Sequence, residues 1–150
     1  MKRLGDSAAV KIGVVVVILI GLVMAGKQGI EKQRQAYWRD GTRKDDVNRL
    51  RQAVVDYFKD NESFPDEKIF LSCGSGHLLP YIKAIPCDPM TGEIYPFQSV
   101  ESCKNCYEFY VKLENSEDIE IKKAGCNQGC GPEGEYNYKV RGQIVLPKKE

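Results

Sequence analysis

The six cysteines are the residues whose type and spacing could do chemistry. All lie between Cys73 and Cys130 of a 150-residue chain. Cys103-x2-Cys106 and Cys126-x3-Cys130, with 19 residues between the pairs, approximate the spacing of a four-thiolate zinc site. The same six residues, behind an export or membrane segment, read as three disulfides. Two cysteines outside the quartet, Cys73 and Cys87, weigh toward disulfides and leave zinc as the alternative. Six cysteines allow 15 pairings, and spacing does not choose among them. Cys73 and Cys87 flank the block from Gly74 to Pro86 and are the leading single pair. Bridges within or between the other two pairs would fix the loop that returns to the last strand. The single histidine, His77, has no second imidazole to join it in a site and reads as a turn or surface residue. Neither a glycine-rich phosphate loop nor a nucleophile motif occurs, so the chain reads as no enzyme.

The elements that must position these residues divide the chain in three. Residues 1–26 carry Lys2, Arg3, Lys11 and Asp6, and Ile12–Gly26 is uncharged. A spanning helix needs about 20 apolar residues and a signal-peptide core about 7–15. Lys11 can snorkel its ammonium to the headgroups, which extends the apolar stretch back to Ala8. A membrane anchor is therefore expected, with a cleaved signal peptide as the alternative. The flanking Lys and Arg count would place the rest of the chain in the cytoplasm, whereas the cysteines argue for the opposite side. Over the whole chain 22 Lys+Arg balance 21 Asp+Glu. That excludes a strongly basic nucleic-acid binder, and 29% charged residues exclude a many-spanning membrane protein.

Residues 27–61 lack proline and are rich in Lys, Gln, Arg, Glu and Ala, which predicts a charged helix continuing the anchor. Val47, Leu50, Val54 and Tyr57, widened by Ala53 and Phe58, form an apolar stripe at spacings of three and four. Arg43, Asp46, Arg49, Arg51 and Lys59 are expected to face water or a neighbouring subunit. Helix from residue 8 to 60 would reach roughly 80 Å at 1.5 Å per residue. Gly26, Gly29 and Gly41 are places where it could bend. In residues 62–150, aromatic and β-branched enrichment predicts strands over 93–100, 106–113 and 135–140. Alternation would turn Tyr107, Phe109, Val111 and Leu113 to the helix and Glu108 and Lys112 to water. Pro96 marks the first strand as an edge or a bulge. The expected fold class is α+β: a long N-terminal helix, membrane-spanning in its first half, packed on a small antiparallel sheet.

The run from Arg39 to Pro65, with Tyr57, Asp60-Asn61 and Phe64-Pro65 at its end, resembles bacterial type IV pilins and type II secretion pseudopilins. Leu79-Pro-Tyr81-Ile82 followed by Pro86-Cys-Asp88-Pro89 is similar to the segment after the helix in that family. Tyr95-Pro-Phe97, Tyr107–Glu114 and Tyr136-Asn-Tyr138 resemble its strands, so the likeness covers about residues 39–138. Family members carry a short basic leader ending in Gly, and a Glu at the fifth mature position. Here the leader would be Met1–Gly5, with cleavage between Gly5 and Asp6, and the fifth position is Val10. A processed subunit and a permanently anchored one both stay open. The resemblance implies a structural subunit of a pilus or pseudopilus-like filament, with its head outside the cytoplasm. Assembly would run through the N-terminal helix, with Arg39–Asp46 registering neighbours. The implied partners are copies of itself, other pilin-like subunits, an inner-membrane platform and a motor ATPase. Major pseudopilins bind calcium with loop acids, which would place a calcium ion at Glu114, Glu117, Asp118 and Glu120. A solvated acidic loop is the plainer expectation for these residues. The rival function is a membrane-tethered zinc-ribbon-like binding module with Cys103, Cys106, Cys126 and Cys130 as ligands.

Overall fold

A computed structural model describes the backbone of residues 4–145 and the side chains of residues 11–145. One helix, α1, runs from Leu4 to Asn61 without interruption. The residues at Gly26, Gly29 and Gly41 stay helical, so the chain does not unwind there. Contacts within the chain divide it between Ala36 and Tyr37 into two units.

In the first unit, the large apolar side chains from Ile12 to Met24 are all exposed, from 47% at Val16 to 69% at Val17. The helix that carries this segment is long and apolar enough to cross a membrane. Gly5 and Asp6 lie in the first turns of α1, and the Asp6 side chain falls outside the described residues.

The second unit holds the core. Val47, Leu50, Ala53, Val54 and Phe58 of α1 are buried, as the stripe predicts, and Tyr57 is half-buried beside Tyr81. The helix ends where Asn61 turns its amide back onto the Tyr57 carbonyl and Glu62 takes a left-handed backbone. Asp66 then caps a 3-10 turn, Glu67–Leu71, which inserts Phe70 into the core. Strands β1 (Phe97–Ser99), β2 (Cys106–Val111) and β3 (Tyr138–Gln143) form an antiparallel sheet in the order β1-β2-β3. Tyr107, Phe109, Val111 and Leu113 are buried as expected, and Phe97 and Phe109 face one another across β1 and β2. Their rings join Phe58, Phe64, Phe70 and Tyr107 in one aromatic cluster. A short helix, α2 (Ile119–Lys123), seats Ile121 in the same core.

All three strands differ from their expected spans: β2 ends at Val111, two residues early, and the other two differ for identifiable reasons. Pro96 has no N–H to give, so β1 starts only after it, although its carbonyl accepts from the Tyr110 N–H at 3.0 Å. Tyr136 is taken by a bridge to Cys130, and the Asn137 amide bonds both backbone groups of Leu113, so β3 starts at Tyr138. It ends three residues later than expected, at Gln143.

Glu108 corrects a further expectation. It is 6% exposed, bonded by the Tyr110 hydroxyl and Lys139, and on the same face the segment around Cys130–Tyr136 lies against the Tyr110 ring. Gly131 permits that approach: a Cβ there would fall 2.6 Å from the Tyr110 ring, and its φ is +74°. The carboxylate is satisfied by the Tyr110 hydroxyl at 2.6 Å and Lys139 at 3.0 Å.

Candidate functional site

Three disulfides brace the second unit: Cys73–Cys87, Cys103–Cys106 and Cys126–Cys130. The first closes the block whose Gly74 N–H bonds the Ile85 carbonyl at 2.6 Å and whose Ser75 carbonyl accepts from the Ile85 N–H at 2.9 Å. The second spans the connection between β1 and β2, and the third the turn after α2. With both halves of the Cys103/Cys106/Cys126/Cys130 quartet bonded internally, none of these sulfurs is a thiolate. Zinc would need both bridges reduced.

The most concentrated polar chemistry lies where α1 meets the loops of its own unit. Arg43 is 2% exposed, and the residue expected to face water is instead the hub of this cluster. Its Nε donates to Asp88 Oδ2 at 2.6 Å, and its Nη2 to Asp88 Oδ1 at 3.1 Å. Its Nη1 donates to Asp40 Oδ1 and Glu114 Oε1, both at 2.7 Å. Asp40, 3% exposed, is one helical turn back on the same face, and the two elements that meet it come from far along the chain. One is the tight turn after Asp88, whose Oδ1 also accepts from the N–H groups of Met90 and Thr91. The other is the loop after β2, where Asp40 accepts from the backbone N–H groups of Glu114 and Asn115, each at 2.9 Å. Arg39 closes the cluster with two 2.6 Å bonds to the Glu114 carboxylate.

The neighbouring helical turn repeats the scheme. Lys44 reaches Asp118 and Glu120 at 2.6 Å each and lies 5.6 Å over the Tyr138 ring. Asp118 also caps α2 through the Glu120 N–H. Asp46, also expected to face water or a neighbouring subunit, is 3% exposed; it accepts from the Tyr95 hydroxyl at 3.1 Å and pairs with Arg49.

The electrostatics follow from this geometry. Glu114 is pulled down to about 2, first by its hydrogen bonds from Arg39 and, against partial burial, by those from Arg43. Burial pushes Asp88 up, but Arg43 and the two backbone N–H groups outweigh it and bring the carboxyl to about 2. Burial likewise opposes the charge on Arg43, and its three carboxylates more than restore it. Carboxylates held this low stay ionised near neutral pH, so they have no proton to give as general acids and little basicity as general bases. Their arrangement positions chain segments.

This placement revises two readings of the sequence. Three of the acids expected in a solvated or calcium-binding loop, Glu114, Asp118 and Glu120, are instead bonded to Arg39, Arg43 and Lys44 of α1. Glu117 is exposed at the turn. The charges of Arg39–Asp46, expected to register neighbours, are spent largely inside their own chain.

Comparison with known proteins adds nothing to this geometry. The chain matches no family model, no curated protein and no solved structure.

Proposed function

We propose that this chain is a membrane-anchored structural subunit that assembles through its N-terminal helix into a pilus- or pseudopilus-like filament. The observation that carries this reading is the apolar half of α1, whose large side chains from Ile12 to Met24 are all exposed among the described residues. The unit that follows has its own core and spends its buried charges internally. A spanning segment needs apolar surroundings on every side, and lipid or the same segment of other subunits supplies them. Three disulfides fit a head held outside the cytoplasm, and the resemblance over residues 39–138 supplies the filament class. Implied partners are further copies, related subunits, a membrane platform and a motor ATPase.

N-terminal sequencing of the protein from membranes, with and without prepilin peptidase, tests the reading. A start at Asp6 that depends on the peptidase supports a processed filament subunit. An intact Met1 supports a permanently anchored relative. A start near Gly26 removes the assembly helix and defeats the proposal. Free thiols holding stoichiometric zinc would transfer the head to the zinc-ribbon alternative.

A further inference from the structure

One exposed turn carries a modification signal that the filament reading does not use. Asn61-Glu62-Ser63 has the Asn-x-Ser pattern, with no proline in the middle, that accepts an N-linked sugar. None of the other asparagines (48, 105, 115, 127 and 137) has Ser or Thr two residues on. Asn61 closes α1, and all three residues of the triplet are exposed. The chain reverses directly behind them, with Glu62 at φ +53° and Pro65 following. Asn61 lies 35 residues beyond Gly26, well clear of the apolar segment in sequence. We propose that Asn61 is an N-glycosylation site, an inference that rests on the reading of the head as lying outside the cytoplasm.

The local chemistry suits the attachment. The amide nitrogen has two hydrogens. One points to the Tyr57 carbonyl at 2.8 Å and the other to the Tyr81 hydroxyl at 3.1 Å. The co-reactant is a sugar carried on a lipid pyrophosphate. Nδ2 bonds to the sugar C1, the bond from C1 to the pyrophosphate oxygen breaks, and the lipid pyrophosphate leaves. The lost amide proton passes to the transferase base. One hydrogen remains to hold the Tyr57 carbonyl. The half-buried Tyr81 ring, packed edge-on against Tyr57 with centroids 5.3 Å apart, stands beside the attachment point and offers an apolar surface to the first sugar.

The test translates the full chain with microsomes that carry N-glycosylation machinery and reads the gel shift before and after endoglycosidase. One sugar-dependent step is expected, absent from both Asn61→Gln and Ser63→Ala. A control variant, Glu117→Thr in the Asn61→Gln background, creates Asn-Ser-Thr at Asn115 in the same head. If the control is modified and the unaltered chain is not, the head crosses the membrane and the assignment of Asn61 is overturned. If neither is modified, the assignment falls together with the outward placement of the head.

Discussion

Replacing Arg43 by methionine tests the hub most directly, because the side chain keeps its bulk while the guanidinium is lost. Asp88 falls from 3.8 to about 2 in the folded state, a difference worth roughly 2 kcal/mol above pH 4. Part of that belongs to the Met90 and Thr91 N–H groups, which stay. The larger cost is three carboxylates, Asp40, Asp88 and Glu114, left converging on an apolar side chain. Removing one partner of a buried ion pair costs about 3–5 kcal/mol, a large share of the 5–15 kcal/mol that holds a domain together. Arg43→Met in the full chain in detergent micelles is therefore expected to lose about 3–5 kcal/mol at pH 7 by urea titration, followed by the near-ultraviolet dichroism of its tyrosines. The sign with pH follows from the depressed carboxyls. In the parent their contribution is complete above the unfolded values near 4 and is lost as pH falls toward 2. In the variant the same acids repel one another, so protonating them relieves strain. The gap between parent and variant should narrow from pH 7 to pH 3. A loss under about 1 kcal/mol, or a gap that widens in acid, would refute the account of the hub.

Three further outcomes follow from other contacts. Gly142 faces Tyr107 across β2 and β3, and a Cβ there would fall 2.3 Å from a ring whose hydroxyl is tied to the Arg51 carbonyl. Gly142→Ala should lower stability by about 1–3 kcal/mol, with partial recovery in Tyr107→Leu, read as thermal midpoints. Glu108→Gln weakens the charge-assisted bonds to Tyr110 and Lys139 and should cost about 1–3 kcal/mol at pH 7 by urea titration. Because its carboxyl is depressed, that cost should shrink as the parent is taken below the ordinary carboxylate range. Replacing both Cys73 and Cys87 by serine opens the longest disulfide loop and should cost about 3 kcal/mol, more than the same change at Cys126 and Cys130, with thermal midpoints as the readout.

The helix stripe and the aromatic alternation of β2 were legible because both are local periodicities, read from residues three, four or two apart. Val47, Leu50 and Val54, and likewise Tyr107, Phe109 and Val111, needed no knowledge of what covers them. The hub was not legible for the opposite reason. Arg43 meets partners 45 and 71 positions away, brought together by the turn at Asp88 and the loop after β2. Only the Asp-Pro-Met-Thr-Gly turn and the Asp40/Arg43 spacing could have hinted at it. A charged residue on a polar helix face reads as solvated until a loop is known to cover it. Glu108 failed in the same way: its alternation put it on the outer face, and the glycine that lets a loop cover that face lies 23 residues further on.

The internal use of charge has a consequence for assembly. If Arg39, Arg43 and Lys44 were free, neighbouring subunits could be registered by ion pairs, and association would weaken in salt. Their carboxylate partners lie in the same chain, so these three charges are not free for neighbours, whereas the large apolar side chains from Ile12 to Met24 are bare and offer α1 new contacts. Apolar contacts do not weaken with ionic strength, whereas exposed ion pairs are largely screened at 1 M salt, where the Debye length is about 3 Å. Oligomers of the full chain in mild detergent, captured by cross-linking, should persist unchanged from 0.1 to 1 M NaCl. A charged residue at Val17, as in Val17→Lys, should reduce them, while Arg49→Ala on the polar face of α1 should not. Oligomers that dissolve in salt but tolerate Val17→Lys would mean that charge, not apolar packing, joins the subunits.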